Sequence, residues 1–401
     1  MSSTTATSRF ESISPAAPDA ILGLNEAFQA DSRPQRMNLS VGVYKDDSGT
    51  TPILKCVKEA ERRLVESETT KGYLPIDGGP DYRDHVQRLV VGDAVDAEQC
   101  VVAQSPGGTG GLRIAAAFIA DQCTGAKVWA PNPTWANHHA IFASEGIPTE
   151  TYRYLNPDRR GLDFAGLIED LETKVSPGDM MLLHACCHNP TGVDPDPSQW
   201  QTLAENLARR GVIPLLDFAY QGFGRGIEED AHAIRTILKC CPEAVICNSF
   251  SKNFGLYSER VGGITVTCGS PSAATAVRSQ LKKIIRSNYS NPPRHGAAVV
   301  AQILDDADLT EQWHQDVADM RTRIRSLRNQ FVDAMSQRGH DFEFLRIQNG
   351  MFSFTGLNPM QVDRLKNEFA IYIVGSGRIN VAGIDAGRMD YLADSVAKTC
   401  G

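Results

Sequence analysis

"AVICNSFSKNFGLYSERVGGITVTC", residues 244–268, sets two apolar runs of strand character on either side of a polar loop that holds a single lysine, Lys252. Val245, Ile246 and Cys247 read as the end of a buried strand, and Ile264, Thr265 and Val266 as another. Lysine is ordinarily a surface residue, because taking its charge out of water is costly. A lysine just beyond the carboxyl end of a buried strand is partly desolvated, which lowers its pKa and makes it a usable amine nucleophile. Ser249, Ser251 and Arg260 add hydroxyls and a fixed cation suited to a phosphate. The plain alternative is a surface lysine in a loop.

Working outward, the same alternation runs from about residue 100 to 270. The runs "CVVAQ", "KVWA", "MMLLHA" and "VIPLLDFAY" precede the pair above, separated by helix-type text such as "GLRIAAAFIADQ" and "PSQWQTLAENLARRG". This order predicts an α/β body, a mainly parallel mixed sheet with helices on both faces, whose ligands bind beyond the carboxyl ends of the strands. Farther on, Trp313, Val317, Met320, Ile324, Leu327, Phe331 and Met335 recur at steps of three or four. They predict one long amphipathic helix over 305–339, with basic residues between the apolar ones, that opens a smaller domain. A chain of 401 residues has room for such a division at roughly 150 residues per domain.

Three more motifs fall at strand ends. In "SPGGTGG" (105–111) the glycines allow close approach to an anion and the following helix start offers free N–H groups. With neither a Gly-Lys-Ser/Thr ending nor a full G-x-G-x-x-G, a tight turn is the competing reading. In "HNPTG" (188–192) Asn189 has an amide free to donate, and the Asn-Pro pair marks a sharp turn, which as a turn alone needs no function. In "LLDFAYQGFG" (215–224) Asp217 interrupts an apolar strand and must be paired or hydrogen-bonded, with the Tyr220 phenol three residues on. A helix cap or a core salt bridge would also account for it. Considered jointly, these signals specify a ligand with a phosphate, a basic ring nitrogen and an aldehyde, which is pyridoxal 5'-phosphate. Asp217 would hold the ring-nitrogen proton, Asn189 and Tyr220 would bond the ring hydroxyl oxygen, and Lys252 would supply the amine for Schiff-base chemistry. Trp135, in "PTWANHH", is an apolar plate for the ring, and His138 a partner for Asp217.

Bulk properties exclude other classes. A net charge of -8 argues against a nucleic-acid partner. No apolar run approaches the ~20 residues that span a bilayer. The opening "MSSTTATSRFES" lacks the apolar stretch of a secretory signal and reads as a loose tail. Ten scattered cysteines fit free thiols in a reducing compartment, so a cytoplasmic location is expected. "HACCH" (184–188) does not match the spacing of a zinc site, and no metal is expected.

These motifs, with "VGVYKDDSGTTP", "YLPIDGG", "YSNPPRHG", "GMFSFTG" and "GRINVAG" in order, closely resemble the fold type I pyridoxal phosphate aminotransferases of the aspartate/aromatic amino acid branch. The match runs from residue 16 to 383. The resemblance implies a large cofactor domain over 46–312 and a small α+β domain over 313–401 that shares the N-terminal arm 1–45. It implies a homodimer with shared active sites. Lys252 then binds the cofactor covalently, and Gly108, Thr109, Ser249, Ser251 and Arg260 surround its phosphate, with Tyr73 reaching the phosphate of the neighbouring subunit. Arg378 grips the substrate α-carboxylate in a pocket lined by Gly42, Trp135 and Asn189. Arg286 reaches from the partner to a distal carboxylate. Relatives have cis bonds in the motifs of Asn132-Pro133 and Asn189-Pro190. The implied reaction moves the amino group of L-aspartate to 2-oxoglutarate by a ping-pong mechanism. Gly72, "YLPIDGG" and "CCHNPTG" lean toward aromatic substrates, whereas Val43, Lys45, Thr51, Thr109 and Asn291 are of the aspartate type.

Overall fold

The computed structural model describes residues 10–16, 22–158 and 160–401. Residues 1–9 of the expected tail, and 17–21 at the start of the resemblance, lie outside them. Eleven strands occur in the described residues: β1 (Met37–Asn38), β2 (Cys100–Pro106), β3 (Val128–Asn132), β4 (Thr149–Arg153), β5 (Met180–His184), β6 (Ile213–Phe218), β7 (Ala244–Ser249), β8 (Val261–Thr267), β9 (Phe352–Phe354), β10 (Ile371–Tyr372) and β11 (Arg378–Asn380).

Seven of them form the main sheet, in the order β2-β8-β7-β6-β5-β3-β4. β8 is antiparallel to both its neighbours, and the remaining pairings are parallel. Six strands therefore point their carboxyl ends at one edge, and β8 brings its amino end there. All six apolar runs seen in the sequence are strands of this sheet, buried nearly throughout, as expected where helices cover both faces. The edge strand β4 had no counterpart among those runs, because only Tyr152 of its five residues is buried.

Local chemistry fixes the helices between strands. Pro197–Arg210 opens on a capping box in which the Asp196 carboxylate accepts from Gln199 N and the Gln199 amide oxygen from Asp196 N. Pro197 sits at the first helical position, and Gly211 ends the helix at φ 64°.

Both chain ends meet in a second region. β1 pairs in parallel with β10, and β9 pairs antiparallel with β11. Between this region and the main sheet runs the helix Ala307–Gln337, two residues shorter at each end than its periodicity indicated. Asp306 sets the start, its carboxylate accepting from Leu309 N. The seven apolar residues of the periodic face are buried as expected, but so, at 4% exposure, is Arg328, one of the basic residues between them. The Asn132-Pro133 and Asn189-Pro190 bonds are both cis.

The carboxyl edge of the sheet depends on close backbone contact between the start of the helix Gly107–Gln122 and β8. A Cβ on Gly262 would lie 2.5 Å from the Asn248 carbonyl oxygen and 2.6 Å from the Gly107 carbonyl carbon. Neither neighbour is a flexible side chain, so the strands would have to part. Gly262→Ala is expected to lower the unfolding free energy by about 1–3 kcal/mol. Gly375→Ala, where no atom lies within 4 Å, should stay within about 0.5 kcal/mol of the parent. Urea denaturation of the two variants beside the parent makes the comparison.

Candidate active site

Every strand of the parallel set that reaches the middle of the sheet delivers a polar side chain to its carboxyl edge. β6 places Asp217 there and the following turn brings Tyr220. β7 ends at Ser249, with Ser251 and Lys252 in the next turn. The loop after β5 carries Asn189, and the segment after β3 carries Trp135 and His138. β2 runs directly into the helix Gly107–Gln122, so Gly108 and Thr109 lie in its first turn. Arg260, just before β8, arrives from the opposite direction with φ 57°. One cavity collects these groups except His138, which stands behind Asp217, and is closed on the far side by Gly42, Phe352 and Arg378.

Asp217 is buried and accepts a 3.0 Å hydrogen bond from Nε2 of His138, whose Nδ1 lies 2.9 Å from the Thr134 hydroxyl. Burial raises the carboxyl pKa, but the His138 bond and the nearby Lys252 charge outweigh it, so the net shift is downward and the group stays ionised. The partner expected for Asp217 is thus an imidazole. Lys252 Nζ lies 4.4 Å from the centre of the Tyr220 ring. Desolvation lowers its pKa to about 8, with Asp217 opposing and Arg260 and Arg378 adding to the effect. The Asn189 amide donates to the Tyr220 hydroxyl at 3.4 Å and accepts from Arg378 Nη1 at 3.2 Å.

Arg378 is 4% exposed and bonds the Ser40 carbonyl through Nη2 at 2.5 Å, while its buried Nε has no acceptor. Among the described residues no carboxylate pairs with Arg378 or with Arg260. Lys252, Arg260 and Arg378 thus face one carboxylate, which makes the cavity cationic inside an acidic protein.

The cavity fits a phosphorylated pyridine aldehyde. The helix Gly107–Gln122 has no side-chain cap at Pro106, leaving first-turn N–H groups for a phosphate. A Cβ on Gly107 would come 2.6 Å from Arg260 Nη2, and one on Gly108 3.2 Å from Ser249 Cβ, so the glycines leave room beside the hydroxyls and the guanidinium. Asp217 can hold a ring-nitrogen proton, Asn189 and Tyr220 can meet a ring oxygen, and Lys252 supplies the amine.

Two expected site residues stand apart. Tyr73 is 94% exposed, and Arg286 is exposed near the end of its helix, where it bonds the Ser290 hydroxyl. Neither lines the cavity of its own chain. Conversely, Tyr257 and Phe352 line it without having been singled out. The Tyr257 hydroxyl accepts from Tyr44 N at 3.0 Å, and the Phe352 ring lies 4.1 Å from the Arg378 guanidinium. Nothing local in the sequence marks either residue as a cavity wall.

A family model described as aminotransferase class I and II matches residues 34–396. The chain belongs to this family. It is 50% identical over 394 residues to an aspartate aminotransferase of Haemophilus influenzae, covering 97% of this chain and 99% of that one. An aromatic-amino-acid aminotransferase of Pseudomonas aeruginosa is 45% identical over 398 residues, covering 98% and 99%. Among solved structures, an aromatic-amino-acid aminotransferase of Burkholderia pseudomallei, covalently bound to pyridoxal phosphate, superposes with a TM-score of 0.95 at 44% identity, covering 98% and 100%. The chain is accordingly a pyridoxal phosphate-dependent transaminase of α/β fold.

A lysine with a pKa near 8 is about half neutral at that pH, whereas an ordinary lysine is almost wholly protonated there. In the cofactor-free aminotransferase, the acylation rate of Lys252 should therefore rise as pH increases through about 8, and that of surface lysines only near 10. Peptide mass spectrometry after brief exposure to an amine-directed reagent resolves the two; a Lys252 midpoint at the surface value would contradict the site electrostatics.

Proposed function

We propose that the chain transfers the amino group of L-aspartate to 2-oxoglutarate, giving oxaloacetate and L-glutamate, in two half-reactions that share one cavity. The observation that carries this reading is Arg378: a buried guanidinium with no carboxylate partner among the described residues, an unbonded Nε and an open cavity before it. A buried cation left unpaired is costly, and a substrate α-carboxylate relieves that cost while being fixed by two parallel bonds.

When bound, pyridoxal phosphate supplies a carbonyl carbon that bonds primary amines and a protonated ring that accepts the electron pair left at the substrate α-carbon. Asp217, held by His138, keeps the ring nitrogen protonated. Gly108, Thr109, Ser249, Ser251 and Arg260 would hold the phosphate, and Trp135, on the same cavity wall, would exclude water from the ring. Lys252 would hold the cofactor covalently through its amine. In its free, neutral form that amine would be the base that moves the proton at the substrate Cα. Asn189 and Tyr220 fix the ring oxygen, and Gly42 leaves space for the substrate: a Cβ there would lie 2.7 Å from the Phe352 ring.

A second copy of the chain completes the site. The exposure of Tyr73 and Arg286 supports a homodimer in which Tyr73 reaches the neighbour's phosphate and Arg286 its substrate's distal carboxylate. We assign residues 46–312 to the cofactor domain, and 1–45 with 313–401 to the arm and small domain. No described helix is long and apolar enough to cross a membrane, and all ten cysteines are free thiols, which supports a cytoplasmic location.

The second reading is an aromatic or dual-specificity aminotransferase, favoured by the P. aeruginosa and B. pseudomallei relatives and by Gly72. Arg286→Leu separates the two. Losing a charge-assisted bond to the distal carboxylate removes about 1.5–3 kcal/mol, and an unpaired carboxylate in a closed site costs more. Activity (kcat/KM) toward aspartate should then fall about a hundredfold or more. Activity toward phenylalanine should change far less or rise. An equal loss for both substrates would make Arg286 structural. A Lys252→Ala protein should lose the visible absorbance of bound cofactor and its transaminase activity together.

A further inference from the structure

Arg328 is the one charged side chain on the buried face of the helix Ala307–Gln337. Among the described residues no carboxylate lies within ion-pair distance of it, so its charge is uncompensated by contact. An apolar residue would suit this face better unless its hydrogen bonds are needed.

Those bonds converge on one turn. Arg328 Nη2 donates to the Gly350 carbonyl at 2.5 Å and Nε to the Ser353 hydroxyl at 3.0 Å. From this turn hang both supports of Arg378. On one side, Phe352 lies beneath the Arg378 guanidinium, and the β9-β11 register sets Phe354 opposite Arg378. On the other, Asn349 N donates to the Gly192 carbonyl at 2.6 Å and its amide to Asp194 at 3.2 Å. Asp194 in turn accepts from Cys187 N and His188 N, each at 2.9 Å, which fixes the backbone just before Asn189. Asn189 is the side chain that bonds Arg378 Nη1. The packing leaves little slack: a Cβ on Gly350 would lie 2.4 Å from Cys187 Cβ, and one on Gly192 2.8 Å from the Phe352 carbonyl oxygen.

We infer that Arg328 is a positioning residue for substrate binding: it pins the 348–353 turn where Phe352 and Asn189 aim Arg378 at a carboxylate. It does not line the cavity and touches neither substrate nor cofactor. The inference rests on Arg378 as the α-carboxylate clamp.

The test uses Arg328→Met holoenzyme. A misaimed Arg378 weakens ground state and transition state alike, so KM for aspartate should rise about tenfold while kcat falls less than about threefold. Single-turnover reaction with β-alanine, which is aspartate without its α-carboxylate, should keep its parental rate, and so should the visible spectrum of bound cofactor. Arg328→Lys, which retains the charge but cannot span both acceptors, should give a smaller rise in KM. If Arg328→Met does not fold, Ser353→Ala removes one acceptor alone and should raise KM about threefold. Equal losses for aspartate and β-alanine, or an unchanged KM in the folded variant, would overturn the inference. Arg378→Lys run alongside separates the two levels. If it leaves KM unaltered, the clamp reading itself fails; if it raises KM and neither Arg328→Met nor Ser353→Ala does, only the role of Arg328 fails.

Discussion

The surplus of buried positive charge at the carboxyl edge of the sheet constrains everything around it. Lys252, Arg260 and Arg378 converge on a cavity whose single carboxylate, Asp217, already bonds His138. In water three such cations would be unremarkable. Withdrawn from water, each raises the cost of the others, and burial pushes Lys252 down to about 8 and Arg378 to about 10. A site of this kind is at ease only with anions in it, and in the proposed reading these are the cofactor phosphate and a substrate carboxylate.

The fold bears this arrangement because the charged groups sit on backbone that cannot readily move. β8 enters the sheet against the direction of its neighbours, which is how Arg260 reaches an edge otherwise built from strand carboxyl ends. Gly262 and Gly107 let β8 and the phosphate-side helix touch without side chains between them. At Gly107, with φ 72°, the chain also turns from strand to helix through a backbone conformation that side chains disfavour.

The substrate side is assembled differently. Gly42, Phe352 and Arg378 come from segments more than 300 residues apart at the extremes, joined by bonds such as Asn380 Nδ2 to the Val41 and Val43 carbonyls. The 348–353 turn ties that assembly to the Asn189 loop of the main sheet, and Arg328 anchors the turn from behind. The same turn thereby ties the placement of Arg378 both to the small strands and to the main sheet.

By itself the sequence determined the parts whose physics is local. Six apolar runs specified six strands, the three- and four-residue recurrence from Trp313 to Met335 a long helix, and a lysine, an aspartate and a glycine loop at strand ends a cofactor chemistry. These readings need only periodicity, propensity and the cost of burying charge, all of which act within a dozen residues. Tertiary structure decided the rest. β4 was hidden because this strand buries only Tyr152 of its five residues, and the burial of Arg328 was not legible because nothing nearby in the chain states what a helix will face. Tyr257 and Phe352 became cavity walls only when residues 40–44 folded against 352–380. Tyr73 and Arg286 lie outside the cavity of their own chain, so the geometry of one chain does not bring either of them to a site.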